Sequence, residues 1–219
     1  MPLEANVGGT RGEQTRQAIL DAAERLFLSN GFNGTSVRQI AHEAGGIAVG
    51  GIYNHFSSKE EIFRALLEAR NPYSSAIDII DSLDAESGPA LIRQAFTRLE
   101  SLVTENSDFF RLVMIDIQEF EGSTIRALAS QVVPHMVRLG QEAQAAGGMR
   151  KDVSVFVLTR CFAMMMIGYV LTQLVAFSHG RNVLAEMIEL PLPDAGPDFW
   201  IPAILDVFLY GVAEREDRA

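Results

Sequence analysis

The sequence has 219 residues, 48% of them apolar, so the chain can bury one large core or two small ones and is not a disordered acidic chain. The net charge of −10 excludes a uniformly basic nucleic-acid-binding protein, but residues 1–70 hold 7 basic and 8 acidic side chains (net −1) and residues 71–219 hold 11 and 20 (net −9). The single Cys161 excludes an intramolecular disulfide and a thiolate metal cage, and no export signal is visible in residues 1–10, so we expect a cytoplasmic protein without a cofactor or metal.

The first three predicted helices are short and closely spaced. Apolar side chains recur at helical spacing over residues 13–29, and Gly31 ends this helix because glycine readily takes the left-handed conformation of a helix terminus. A second helix begins at Ser36, which forms a capping box with the glutamine three residues later. A glycine turn at residues 44–46 then leads to a third helix at about 48–56.

The fourth helix closes the predicted N-terminal domain. Ser58 and Glu61 form a second capping box at its start, and Pro72 interrupts the chain after it. We therefore predict one domain of residues 1–70 and another of residues 71–219. Further helices are predicted at 74–84, 89–106, 107–119, 122–146, 152–178 and 198–214. No alternating β-branched run is bounded by hairpin turns, so the predicted fold is all-α.

The second and third helices, joined by a tight glycine turn, match the layout of a helix-turn-helix, whose last helix enters the DNA major groove. The residues make this pattern specific. The matching positions are Ile19, Leu20, Ala22, Ala23, Leu26, Phe27, Gly31, Phe32, Thr35, Ser36, Val37, Ile40, Ala41, Ala44, Gly45, Gly50, Gly51, Ile52, Tyr53, His55, Phe56, Ser58, Lys59 and Glu60. With them, residues 15–70 resemble the N-terminal domain of the TetR family.

The resemblance implies a function as well as a fold. It implies a helix-turn-helix DNA-binding domain followed by a helical domain that binds a ligand and dimerises. The expected function is a ligand-responsive transcriptional regulator, by resemblance a repressor, that leaves its operator when it binds a small apolar effector. The homodimer would read the two half-sites of a pseudo-palindromic operator.

The predicted DNA-binding residues are Thr35, Ser36, Arg38, Val49, Gly50, Gly51, Tyr53, Asn54, His55 and Lys59. Gly50 and Gly51 each destabilise a helix by about 1 kcal/mol relative to Ala, which a chain tolerates where its backbone must approach another surface closely. Tyr53 and His55 can donate hydrogen bonds to phosphate oxygens. Alternatively, Tyr53 packs on the first helix.

Lys59 and the glycine turn leave two questions open. Lys59 lies in the first turn of the fourth helix, where it can bind a DNA phosphate or instead offset the charges of Glu60 and Glu61. Gly46 looks inserted relative to the family pattern. Ala48 and Val49 replace a cap and a basic residue that the family often has at the start of the recognition helix, although Val49 can still contact a thymine methyl group.

The predicted helix at 152–178 is apolar on all sides and needs partners on both faces. The family layout supplies a ligand pocket on one face and a dimer interface on the other, with the final helix, including Leu205 and Phe208, as a second interface candidate. Residues 161–180 carry no charge and are long enough to span a bilayer, but burial on both sides explains them as well, and we expect no membrane partner.

The predicted ligand-binding residues are Phe96, Phe110, Met114, Ile117, His135, Met136, Met165 and Tyr169. Together they would line a mostly apolar cavity. The three consecutive methionines at 164–166 also suit a plain core, and a lone histidine such as His135 is more often structural.

Two other functions compete with a DNA-binding regulator. An enzyme is not expected, because the sequence has no phosphate-binding glycine loop with a lysine and no nucleophile motif around Cys161. The second alternative is a ligand-binding dimer of the same fold whose DNA-binding domain is degenerate, which the near-neutral N-terminal charge and Gly46 keep open.

Overall fold

The computed structural model describes residues 10–176 and 197–212, and these residues form ten α-helices and no β-strand. The helices are α1 (Arg11–Asn30), α2 (Val37–Glu43), α3 (Val49–Tyr53), α4 (Lys59–Arg70), α5 (Tyr73–Asp81), α6 (Gly88–Glu105), α7 (Ser107–Phe120), α8 (Ser123–Ala145), α9 (Val155–Ala176) and α10 (Pro197–Val212). The all-α prediction is confirmed. The predicted helix ends at 178 and 214 lie outside the described residues.

Side-chain caps set the start of the early helices. Ser36 Oγ accepts a hydrogen bond from the Gln39 N–H at 3.3 Å and Gln39 Oε1 accepts from the Ser36 N–H at 2.8 Å, so the predicted capping box of α2 is confirmed. Ser58 Oγ accepts from the Glu61 N–H at 3.1 Å, as predicted for α4. The Glu61 carboxylate, however, accepts from the Ser57 N–H at 2.6 Å, one residue earlier than the predicted box requires. Each cap stabilises its helix by roughly 1 kcal/mol.

The first of two compact units consists of Met1–Asn71 together with Asp108–Leu128. Its core contains an aromatic cluster in which the rings of Phe27, Phe32 and Phe63 lie 5.4–5.6 Å apart between centroids. Phe120, at the end of α7, completes this cluster at 4.9 Å from Phe32 and 5.3 Å from Phe63. The order of the helices along the sequence does not signal that the chain returns to the first unit, so the predicted domain of residues 71–219 includes residues 108–128.

Polar contacts also hold α7 within the first unit. Asn33 Nδ2 donates to Glu119 Oε2 at 2.7 Å, and the Arg111 guanidinium donates to the carbonyl of Leu28 at 3.4 Å. Asp116 is fully buried, and its Oδ2 accepts from the Ile125 N–H at 3.0 Å. Because Ile125 lies in the first turn of α8, Asp116 satisfies a donor that the helix itself leaves unpaired.

The second unit consists of Pro72–Ser107 and Ala129–Ala219. Within it α6 contacts α5, α9 and α10. Its apolar core contains Ala76, Ile80, Leu91, Ile92, Ala95, Phe96, Leu99, Leu139, Ala143, Met149, Leu158, Phe162, Tyr169, Ile201, Leu205 and Leu209. This core includes Leu205, which the sequence analysis placed at an outward interface. Its side chain is buried because it lies on the face of α10 that packs on the unit's own core.

Candidate functional site

The third helix and the turn before it lie at the surface of the first unit, with Ile52 as the buried residue of the helix. Gly45 and Gly46 take φ values of +99° and +72°, so the turn between α2 and α3 needs two residues in the left-handed region that favours glycine. The extra Gly46 therefore fits this turn. Ala48, at the N-cap position of α3, makes no side-chain cap, as its lack of an oxygen predicts. Ile52 is buried and anchors α3 in the unit.

The two glycines of α3 border open space. A Cβ atom built on Gly50 or on Gly51 would meet no atom within 4 Å, so the fold does not need glycine at either position for space. Neither glycine has a positive φ. The Tyr53 side chain is 54% exposed, which leaves its ring and hydroxyl accessible, and Asn54 beside it is exposed too. His55 is half-buried and Val49 is also partly accessible.

The residues at the start of α2 divide into inner and outer ones. Thr35 is 2% exposed, and its hydroxyl lies 2.9 Å from the Gly31 carbonyl oxygen and 3.1 Å from the Leu26 oxygen. The Thr35 side chain therefore satisfies carbonyls at the end of α1, a role that the sequence analysis did not assign. Ser36 and Arg38 are exposed, and Arg38 forms no ion pair in the part of the chain that the structure describes.

The ammonium group of Lys59 binds the loop between α1 and α2. Its Nζ donates to the carbonyl of Phe32 at 2.8 Å and to that of Thr35 at 2.9 Å, and it lies 4.1 Å from the centroid of the Phe32 ring. Two of its three donors are thus used inside the protein. The pKa of Glu60 is lowered mainly by the hydrogen bond from its own backbone N–H and by the Ser58 hydroxyl, with Lys59 contributing less.

Intramolecular ion pairs use two of the six arginines of residues 10–71. Arg25 pairs with Glu43 at 3.0 Å, and Arg70 bridges to Asp21 and Glu24 at 2.5 and 2.8 Å. Within residues 10–71 the arginines without an ion pair are Arg11, Arg16, Arg38 and Arg64. Arg11 and Arg16, at the start of α1, are not among the predicted DNA-binding residues, because a sequence alone does not show which charges are neutralised by ion pairs in the folded protein.

The eight predicted ligand-binding residues fall in both units. Phe110, Met114 and Ile117 belong to α7 of the first unit, and the last two are exposed. The other five belong to the second unit, where the rings of Phe96 and Tyr169 lie 5.9 Å apart between centroids. The list that sequence analysis produced is therefore not a single cluster within either unit.

The five residues of the second unit have distinct surroundings. His135 Nδ1 lies 2.9 Å from Asp81 Oδ1, and this hydrogen bond is the main cause of the lowered pKa of Asp81. Met165 packs partly buried against the apolar core. Met136 lines a small cavity of about 10 Å³, whose other lining residues are Ile92, Leu139, Gly140, Leu158, Thr159 and Phe162.

Two helices of the second unit carry large apolar side chains that the single chain leaves exposed. Those on α9 are Phe156, Val157, Met164, Ile167 and Leu171, and those on α10 are Phe199, Val207 and Tyr210. The segment Val155–Thr172 is apolar and long enough to cross a membrane by length and composition, and only 22% of it is buried. Such surfaces mark interaction sites in soluble proteins.

Comparisons with known proteins agree with the geometry of the first unit. Residues 19–66 match the family model described as bacterial regulatory proteins of the tetR family. The chain is 27% identical over 194 residues to the HTH-type transcriptional repressor AcnR of Corynebacterium glutamicum, covering 83% of this chain and 93% of that protein.

Two solved structures share the fold. One is a TetR family transcription regulator from Marinobacter aquaeolei, with a TM-score of 0.64, 20% identity, and coverage of 94% of this chain and 98% of the other. The second is NalD, the secondary repressor of the MexAB-OprM multidrug efflux pump in Pseudomonas aeruginosa, with a TM-score of 0.61, 23% identity, and coverage of 93% and 98%.

Proposed function

Because the chain is a DNA-binding transcriptional regulator of the TetR/AcrR family, we propose that it is a repressor that binds its operator as a homodimer and leaves it when the C-terminal unit binds a small ligand. The exposed surface of α3 is the observation that carries this proposal. Its two glycines have open space above them, so a groove wall or base edge can approach the helix backbone. Tyr53 and Asn54 then lie at the edge of the approaching DNA.

The proposed DNA-binding surface has two kinds of residues. Those that would touch DNA are Ser36, Arg38, Val49, Gly50, Gly51, Tyr53, Asn54 and His55, all at least partly accessible. Arg11 and Arg16 are added as phosphate-binding candidates, although Arg16 also lies 5.0 Å above the Phe56 ring. Thr35 and Lys59 act by holding the loop that leads into α2, since their polar groups bond to carbonyls of the protein.

A homodimer explains the exposed apolar faces of α9 and α10. A soluble chain gains free energy by covering such faces, and a second copy offers the same apolar surface in return. Two copies would place two α3 helices on the half-sites of a pseudo-palindromic operator. The exposed Arg160 lies inside the apolar segment of α9, where a charged side chain would be unfavourable in a bilayer. It therefore favours a cytoplasmic dimer over a membrane-spanning protein.

The effector is proposed to bind in the second unit, among residues that include Phe96, Met136, Met165 and Tyr169. Its binding must favour a conformation in which the spacing of the two α3 helices does not match that of the operator half-sites. The change in DNA affinity cannot exceed the preference of the effector for that conformation. By the same linkage, operator DNA weakens effector binding by an equal factor. We propose no catalytic activity.

A degenerate DNA-binding unit is the second candidate function. The uncapped α3 and the net charge of −1 in residues 1–70 favour it. The test is the binding of the full-length protein to fragments of its own promoter, followed by fluorescence anisotropy from 50 to 300 mM salt. Two copies of Arg11, Arg16 and Arg38 give up to six phosphate contacts, so the slope of log affinity against log salt should be about −5.

An Arg38→Ala variant is the matched measurement. It should flatten that slope by about two units for the dimer, one for each copy. Binding to no promoter fragment, or binding without salt dependence, would establish the degenerate alternative.

A further inference from the structure

An acidic side chain lies inside the apolar core of the second unit. Glu100, on α6, is only 6% exposed, and its neighbours Leu99 and Phe96 belong to that core. The Tyr169 hydroxyl donates to Glu100 Oε1 at 3.1 Å and the Thr104 hydroxyl lies 3.0 Å from the same oxygen. Both hydroxyls bind Oε1, and Oε2 has no hydrogen-bond partner among the described residues.

None of the cations that the structure describes compensates this carboxylate. Within residues 10–176 and 197–212, no lysine, arginine or histidine nitrogen lies within 4.0 Å of Glu100, whereas the partly buried Glu24 pairs with Arg70 at 2.8 Å. Burial of a carboxylate without a counter-ion is strongly unfavourable unless the group is neutralised. The two hydroxyls hold the carboxylate in place but carry no positive charge.

The surroundings of Glu100 suit an organic cation. The ring of Phe96 lies 5.9 Å from that of Tyr169 and 6.0 Å from that of Phe162 between centroids, and aromatic faces attract positive charge. Phe162 also borders the small cavity that Met136 lines. Met165 and Met166 pack partly buried on the same core, and methionine side chains adapt readily to a guest.

We propose that the effector is a lipophilic cation, a protonated amine or quaternary ammonium ion with an apolar body, whose charge is neutralised by Glu100. This inference rests on the proposed function and refines its effector, which the sequence analysis expected to be apolar. The carboxylate selects the charge, and the aromatic rings and methionines enclose the apolar body. The hydroxyls of Tyr169 and Thr104 keep Oε1 fixed, so that Oε2 remains available to the ligand.

The test uses a pair of probes that differ in charge but not in shape. Benzyltrimethylammonium and its carbon isostere neopentylbenzene are titrated into the full-length dimer by ligand-observed NMR and calorimetry. We expect the cation to bind at least tenfold more tightly than the isostere. Glu100→Gln should lower the affinity for the cation by at least tenfold and leave that for the isostere unchanged.

Two further variants make the result specific. Glu105→Gln removes the same charge from an exposed position on the same helix and should leave both affinities unchanged. Glu100→Asp keeps the charge and should retain most of the preference for the cation, which provides a second measurement if Glu100→Gln folds poorly. Equal binding of the two probes to the native protein, or an unchanged preference in Glu100→Gln, would overturn the proposal.

DNA release separates this proposal from the proposed function. If both hold, the cation lowers operator affinity of the native protein but not that of Glu100→Gln. Selective cation binding by a protein that binds no promoter fragment would keep the ligand assignment and refute the regulator. Operator binding with no preference between the probes would keep the regulator and refute the ligand assignment.

Discussion

Replacement of Lys59 by methionine distinguishes a residue that holds a loop from one that binds a phosphate. Methionine keeps an unbranched apolar stem and removes the ammonium group, which donates to the carbonyls of Phe32 and Thr35. Each of these two hydrogen bonds from a charged donor contributes about 1.5 kcal/mol at the low end of its range, and the contact with the Phe32 ring adds about 0.5 kcal/mol, so a fully buried group would contribute about 3.5 kcal/mol. Because Lys59 is partly exposed, we expect the free energy of unfolding to fall by roughly 2 kcal/mol.

The assay combines stability with DNA binding. Urea unfolding followed by circular dichroism, at one fixed protomer concentration, measures the free energy of unfolding. Anisotropy titrations at several salt concentrations measure the affinity for operator DNA and its salt dependence. We expect the affinity of Lys59→Met for its operator to fall because the loop before α2 loses its anchor, while the slope of log affinity against log salt stays within half a unit of the native value.

Arg64 provides the matched control. It is an exposed cation on the same helix without an ion pair in the described part of the chain, so Arg64→Met should change the unfolding free energy by less than about 0.5 kcal/mol. If Lys59→Met keeps native stability and its salt slope flattens by about one unit per protomer, Lys59 binds a phosphate and the reasoning from the two carbonyl contacts is refuted.

Three other predictions follow from individual side chains. Gly50→Ala should raise the unfolding free energy by up to about 1 kcal/mol, because Ala favours the helix and its Cβ meets open space, yet weaken operator binding at least tenfold in anisotropy titrations; unchanged binding would rule out close approach of DNA at this position. Val207→Asp should give monomers in sedimentation velocity, whereas Val133→Asp, an exposed apolar position outside α9 and α10, should stay dimeric; a dimeric Val207→Asp would exclude this part of α10 from the interface. Burial raises the pKa of Tyr73 from 10.0 to about 12, so the folded state holds this proton at a higher pH than the unfolded state does, and the associated stability is lost as the pH rises from 10 to 12. Tyr73→Phe should remove that part of the loss in urea unfolding at pH 9 to 11.5, and a pH profile identical to that of the native protein would contradict the prediction.

The sequence was most informative where local chemistry decides the structure. Helix ends follow from caps such as Ser36 and from the left-handed glycines, which depend only on neighbouring residues. It was least informative where a side chain's partner is distant along the chain. Lys59 meets carbonyls 24 and 27 residues away, and Glu100 meets Tyr169 across 69 residues, so their roles emerge only from the fold.

The other differences between the predicted and the observed residue positions concern which side chains are buried. Periodicity identifies an apolar face but not what covers it, so it could not separate Leu205, which faces the core, from Val207, which is 78% exposed. In the same way, Thr35 and Ser36 are adjacent polar residues with similar chemistry. One hydroxyl is buried against the end of α1 and the other lies at the surface.

The packing of Phe120 in the first unit has a consequence for synthesis and for protein engineering. During translation the first 71 residues emerge well before Phe120, so the nascent segment has Phe32 and Phe63 without the ring that later packs against both. A hybrid regulator made by joining residues 1–71 to a foreign sensor would keep that exposed aromatic surface permanently. The DNA-binding unit is therefore discontinuous in sequence. A hybrid protein needs residues 108–128 as well, or polar residues in place of the uncovered phenylalanines, to remain soluble.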